Sequence, residues 1–152
     1  MGKMIVKTKE ADIDIRDAFF NELYNIAVND KDVLFLTADM GAFSLEKFKM
    51  DLPDQYINLG VAEQNMVSVA AGLALGGKSV FIYGIAPFVT MRCYEQIKVD
   101  LSGMCLPVTI VGAGPGITYS SDGPTHHAIQ DISIVRALPE MIIFSPSDST
   151  MA

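Results

Sequence analysis

Apolar residues return every three or four positions between Asp12 and Asn29, with Ile15, Phe19, Leu23 and Ile26 on one stripe. That spacing predicts an amphipathic helix over about 12–29. The rhythm then changes. "DVLFLTAD" (32–39) is a short continuous apolar run that ends in a polar turn, which predicts a buried strand. "SLEKFKMD" predicts a short helix closed by Pro53, "QYINL" a short strand, and about 61–75 the next helix. "SVFIYG" (79–84) predicts a strand, and about 87–102 a helix with Pro87 in its first turn. "PVTIVGAG" (107–114) predicts a strand, 115–127 a Gly/Pro/Ser/His loop, "AIQDISIVRAL" a helix, and "MIIFSPSD" a last strand with its exit loop.

The strand segments are continuous apolar runs rather than alternating ones, as in a parallel sheet covered on both faces. Strands that alternate with helices predict an α/β fold: a doubly wound, mainly parallel sheet with helices on both faces. Ligands of such sheets sit beyond the strand carboxyl ends. Here those positions are Asp39, Gly60–Glu63, Gly84–Phe88, Gly112–His127 and Ser145–Asp148.

A chain of 152 residues is enough for one domain burying roughly 70% of its unfolded surface. Half of the residues are hydrophobic and 19% are charged, so some apolar surface is expected to meet a partner. The net charge of −7 argues against nucleic-acid binding, which leaves a basic footprint. No run approaches the ~18 apolar residues of a membrane span, and the N-terminus lacks the apolar core of a signal peptide. Cys93 and Cys105 fit free thiols in a reducing compartment. A cytoplasmic location follows as an expectation. Residues 1–11 read as an N-terminal extension of a single domain spanning 1–152. "SPSDSTMA" supplies helix-capping residues and about one turn, which suggests a truncated chain lacking a C-terminal domain.

Glu63 is the first candidate for chemistry. As a first-turn helix glutamate it suits the positive end of the helix dipole. Its company is apolar, with Val61, Ala62, Met66, Val67 and Val69 around it. Carboxyls in such surroundings are poorly solvated, and a neutral one can donate a hydrogen bond as well as accept one. The second cluster is "SSDGPTHHAIQD", where Asp122, His126 and His127 fall on a tight loop after a strand. It reads equally as a polar turn capping the following helix. Adjacent histidines do not have the spacing of helix-face chelation, and no third ligand is evident, so no metal site is expected. "VGAGPG" matches neither glycine-rich phosphate motif. "GIAPFVTMRCYEQI" places Phe88, Arg92 and Tyr94 just after a strand. The aromatics there are either core residues or a flat wall for a ring.

Together, "TAD" (37–39), "NLGVAEQNMVSVAAGLAL" (58–75), "MRCYEQI" (91–97), "LPVTIVG" (106–112), "DGPTHHAIQDISIVRALPEM" (122–141) and "SPSD" (145–148) resemble the pyrimidine-binding domain of transketolase-type thiamine-diphosphate enzymes. The resemblance extends over nearly everything from residue 12 onward. It implies that Glu63 contacts N1′ of the cofactor's aminopyrimidine and promotes the tautomer that deprotonates C2 of the thiazolium. It implies that Phe88 stacks on the pyrimidine, that Asp39 lies near the cofactor, and that Tyr94 and Ile85 are further pocket residues. His126 corresponds to a loop histidine that meets the substrate, Asp122 to an aspartate that reads the C2 hydroxyl of a donor ketose, and His127 lies beside them.

Two departures accompany the match. Phe43 and Gly114 stand where transketolases often carry a serine and a histidine used on sugar phosphate. The family's "GDG…N" motif, which holds Mg²⁺ and the diphosphate, does not occur in this chain. The resemblance therefore implies a partner: a diphosphate-binding domain or subunit that brings the Mg²⁺, with a sugar substrate between the two. Self-assembly as a homodimer is expected through the small-residue run "MVSVAAGLALGG". The implied reaction is ketol transfer between sugars. The alternatives are a decarboxylating relative of the deoxyxylulose-phosphate synthase or E1 β type, and a non-catalytic oligomerisation module.

Overall fold

The computed structural model describes residues 13–152; the extension read over 1–11 lies outside them. The chain runs α1 (Ile15–Asn29), β1 (Val33–Thr37), α2 (Leu45–Asp51), β2 (Tyr56–Asn58), α3 (Glu63–Leu75), β3 (Ser79–Ile85), α4 (Ala86–Val89), α5 (Tyr94–Gln96), a π-helical segment (Ile97–Ser102), β4 (Val108–Ala113) and α6 (Asp131–Val135). Four parallel strands pair in the order β2-β1-β3-β4.

Alternation along each strand divides the core into two layers, because successive side chains leave opposite faces. Leu34, Leu36, Val80 and Ile82 pack with Met66, Val67, Ala70 and Ala74 of α3 and with Ile97 and Leu101 of the π-helical segment. Val33, Phe35 and Tyr83 pack on the other side with Phe20, Leu23 and Ala27 of α1 and with Leu45 and Phe48 of α2. All five positions of β1 are buried, which explains its unbroken apolar run. The sheet is doubly wound as expected. The chain leaves β1 toward β2 and then crosses back to β3. The topological switch therefore lies between the carboxyl ends of β1 and β3, where Asp39 and Ile85–Phe88 follow. Gln55 locks this frame from within: its buried side-chain amide donates to the carbonyls of Ala27, Asp30 and Val33 at 2.8–3.1 Å.

Four expectations need correction. The stripe of α1 that meets the sheet is Phe20, Leu23 and Ala27; Ile15 and Ile26 are exposed. The helix expected over 87–102 is broken at Thr90–Cys93. Its first turn, α4, packs so closely on the sheet that a Cβ at Gly84 would come within 2.5 Å of Val89 Cγ1. The helix expected over 128–138 has its regular part only at Asp131–Val135. The run from Met141 to Phe144 forms no strand. It follows Glu140, whose φ is +60°, and leaves Ile142 and Phe144 exposed. The small-residue run of α3 is divided: Met66, Val67, Ala70, Ala71 and Ala74 serve the chain's own core, and Ser68, Gly72 and Leu75 are exposed. Cys93 and Cys105 are free thiols, the first buried and the second exposed. Among the described residues no helix is long and apolar enough to cross a membrane.

Candidate functional site

Parallel strands place all their following loops on one sheet edge. Asp39 follows β1, Gly60–Glu63 follow β2, Ile85–Phe88 end β3 and enter α4, and the loop carrying Asp122, His126 and His127 follows β4.

Glu63 opens α3 and is one of only four buried polar or charged residues among those described, at 6% exposure. Its Oε2 accepts a hydrogen bond from Nη1 of Arg92 at 2.8 Å; the Arg92 side chain is 42% exposed. The Arg92 guanidinium carbon lies 4.0 Å from the centre of the Phe88 ring. Phe88 meets the His126 ring edge-on, centroids 4.9 Å apart, and the Tyr119 ring lies 6.3 Å from that of His126. Glu63, Arg92, Phe88 and His126 thus form a continuous chain of contacts drawn from three different loops. A cavity of about 400 Å³ opens at the Glu63–Arg92 end of this chain of contacts, lined by Val61, Ala62, Glu63, Gln64, Asn65 and Arg92. That is large enough for a small ring.

The turn at Thr90–Cys93 places Arg92. Its backbone nitrogen donates to the Pro87 carbonyl at 3.1 Å, and its carbonyl accepts from Nε2 of Gln64 at 3.1 Å. Next to it, Cys93 is fully buried and its thiol donates to the Phe88 carbonyl at 3.1 Å. Burial foremost, and then the nearby Glu63 carboxylate, push the Cys93 thiol up to about 12, against an opposing effect of Arg92.

Asp39 is exposed and takes a φ of +60°, an uncommon conformation that aspartate tolerates better than most residues. Asn58 holds it there. The Asn58 Oδ1 accepts from the backbone nitrogens of Asp39 and Gly60, both at 3.0 Å, and its Nδ2 donates to Asp39 Oδ1 at 3.2 Å. Asn58 thereby ties the end of β1 to the loop that delivers Glu63.

Asp122 is exposed on a 3₁₀ turn, within 3.5 Å of the Ser121 hydroxyl. His126 ends the next turn, and its Nδ1 shares a hydrogen bond of 3.0 Å with the Thr125 hydroxyl. The Nε2 of half-buried His127 has no hydrogen-bond partner among the described residues. The loop is pinned at its base by a two-hydrogen-bond bridge between Gly116 and Ala128. Ile85 is half-buried at the end of β3, paired with Ala113. Tyr94 stands apart: it lines a second, more apolar cavity with Met91, Gln130, Ser133, Ile134 and Ala137. Among the described residues no group of three or more His, Cys, Asp or Glu is arranged to hold a metal ion.

The geometry gives roles to three residues for which the sequence pattern supplied none. Arg92 bridges Glu63 and Phe88, Asn58 positions Asp39, and Tyr119 packs over Gly114. A Cβ at Gly114 would run into the Tyr119 ring, and its φ is +74°. The absence of a side chain at this position is therefore a requirement of the loop. The signal for Tyr119 was present as a lone aromatic in a Gly/Pro/Ser loop, but only the folded loop shows what it covers.

Comparison with known proteins identifies the family and the fold. A family model for the transketolase pyrimidine binding domain matches residues 11–152. One of the subunits of an apulose-4-phosphate transketolase from Phocaeicola vulgatus is 41% identical over 138 residues, 90% of this chain and 44% of that protein. A 1-deoxy-D-xylulose-5-phosphate synthase from Synechococcus sp. is 34% identical over 97% of this chain and 22% of its own length. Among solved structures, a split-gene transketolase in an inactive beta4 tetramer superposes with a TM-score of 0.79 at 30% identity, covering 93% of this chain and 45% of that one. The chain thus spans less than half the length of these relatives.

Proposed function

The chain belongs to the transketolase pyrimidine-binding-domain family, and from that premise we propose that it supplies the pyrimidine half of a thiamine-diphosphate site in an enzyme moving a two-carbon ketol unit between sugars. The observation that carries this reading is Glu63: a carboxyl side chain only 7% exposed, on a cavity of about 400 Å³, with an aromatic face in the same cluster of contacts. These residues fit a flat heterocycle that needs a shared proton at one ring nitrogen and a stacking surface. Glu63 Oε2 holds that proton, Phe88 and Ile85 orient the ring, and Asp39, braced by Asn58, closes the neighbouring loop. Bound there, the cofactor supplies the carbanion chemistry; the protein supplies orientation and proton placement.

His126 is the substrate-facing group, adjacent to Phe88 and to open loop. Asp122 and His127 lie on the same loop and are assigned to the donor sugar, since a carboxylate reading a hydroxyl is a selective contact. Tyr94 faces the second cavity and takes no direct part. The diphosphate and Mg²⁺ are held by a separate domain or subunit, so the isolated chain is inactive. The inactive beta4 tetramer of the split-gene relative supports both inactivity and self-association. For the latter, α3 offers an outer stripe of Gln64, Ser68, Gly72 and Leu75 for a second copy. Two free thiols fit a reducing, cytoplasmic setting.

The test is reconstitution with the diphosphate-binding partner. The pair is expected to bind thiamine diphosphate in a calorimetric titration and to transfer a ketol unit from a ketose to an aldose. Release of carbon dioxide from a 2-oxoacid in place of ketose turnover would assign the decarboxylating reaction. A stable complex that binds no thiamine diphosphate would make the chain an oligomerisation module.

A further inference from the structure

A buried carboxylate with no counter-group is costly, and removing one partner of a buried pair leaves that cost exposed. Glu63 meets this problem wherever its ligand is absent. Its answer is Arg92. The guanidinium is planar and cationic, it presents an N–H edge to Glu63 at 2.8 Å, and its face lies over Phe88 with Cζ 4.0 Å from the ring centre. A carboxylate bond at the edge and an aromatic contact at the face are the two contacts assigned above to a ring that bears nitrogen. One group at a time can make both. The side chain reaches in from a turn and is 42% exposed, so it can swing out without unfolding an element. The turn itself stays anchored through the Gln64 bond to the Arg92 carbonyl at 3.1 Å.

We propose that Arg92 is a built-in occupant of the ring seat: it neutralises Glu63 and covers Phe88 in the free protein, and the cofactor ring binds by displacing it. The inference rests on the cofactor reading above. It makes Arg92 a positioning residue that competes with the ligand. A seat held by its own side chain lowers apparent affinity by the fraction of time it is open. Arginine suits the part because its flat, weakly hydrated cation stacks on aromatic faces, which an ammonium does less well.

The experiment uses the protein assembled with its diphosphate-binding partner. Arg92→Met keeps an apolar stem and loses the plane and the charge. Its thiamine-diphosphate dissociation constant is expected to fall by about tenfold, with Arg92→Lys between the two. A residue with a merely structural role would weaken binding when replaced. Unchanged or weaker binding in Arg92→Met overturns the occupant and leaves the cofactor reading standing. If no variant binds thiamine diphosphate, the cofactor reading fails, and a planar amidine decides the occupant separately. Benzamidine is then expected to raise the melting temperature of Arg92→Ala and not that of the wild type. Absence of that difference, with both proteins folded by circular dichroism, overturns the inference. If Arg92→Ala does not fold, the same comparison is made with Arg92→Met.

Discussion

Replacing Glu63 by Gln changes one atom and removes the one property the proposed chemistry needs. The amide has nearly the same shape, so the cavity survives. Folding loses the Arg92 ion pair, whose cationic partner is 42% exposed; pairs with solvent access contribute about 0–1 kcal/mol. A drop in stability of about 1 kcal/mol or less is therefore expected, leaving a folded, assembled enzyme. The rate behaves differently. An amide cannot share a proton with a ring nitrogen as a carboxyl does, and such proton positioning contributes about 10²–10⁴-fold. At about 1.36 kcal/mol per tenfold, the barrier rises by about 3–5.5 kcal/mol, several times the loss in stability. The decisive assay is hydrogen–deuterium exchange at C2 of bound thiamine diphosphate, followed by NMR beside a steady-state transfer assay. Exchange should slow in parallel with transfer. His126→Ala should instead spare exchange and slow turnover, because its ring packs on Phe88 rather than on Glu63. Wild-type exchange in the Gln variant would refute the role given to Glu63.

Four further outcomes follow from the geometry. Gly114→Ala should destabilise the protein by about 1–3 kcal/mol, because φ is +74° and the new Cβ would displace Tyr119; a denaturant midpoint equal to wild type would disprove the close approach. The buried Tyr83 hydroxyl faces the Arg16 guanidinium, whose Nε is also buried, so Tyr83→Phe should cost about 0.5–1.5 kcal/mol; a melting temperature equal to wild type would show that the two groups do not interact. Cys105 should react with a thiol reagent in the native protein and Cys93 only after unfolding. Because the folded Cys93 value of about 12 lies above its ordinary value of 9.0, the unfolded chain loses this proton first. Its contribution to stability is therefore complete below pH 9 and is lost as pH rises toward 12; a Cys93→Ala variant with the same alkaline decline as wild type would contradict this.

What the sequence determined by itself was the layering. Continuous apolar strands alternating with helical segments admit a parallel sheet covered on both faces, because every residue of a doubly covered strand is buried, as all five of β1 are. The same order fixes which residues reach the ligand edge, since parallel strands all send their loops the same way. Glu63 was legible because one carboxyl among apolar neighbours contradicts its surroundings. Helix phase was not. Ile15 and Ile26 continue the periodicity of α1, yet Phe20, Leu23 and Ala27 are the residues that face the sheet. Periodicity gives an angle around a helix and not the direction of the core. The break at Thr90–Cys93 was equally hidden, because α4 ends where it meets the strand ends, a contact between residues distant in the chain. The exposed run at Ile142–Phe144 has a strand's composition, but a strand exists only where a neighbour accepts its backbone hydrogen bonds. Arg92 shows the same limit most sharply. In sequence it is one cation beside a helix. Tertiary structure sets it 2.8 Å from Glu63 and over Phe88, because long-range packing alone decides which carboxylate, 29 residues away, an arginine will meet.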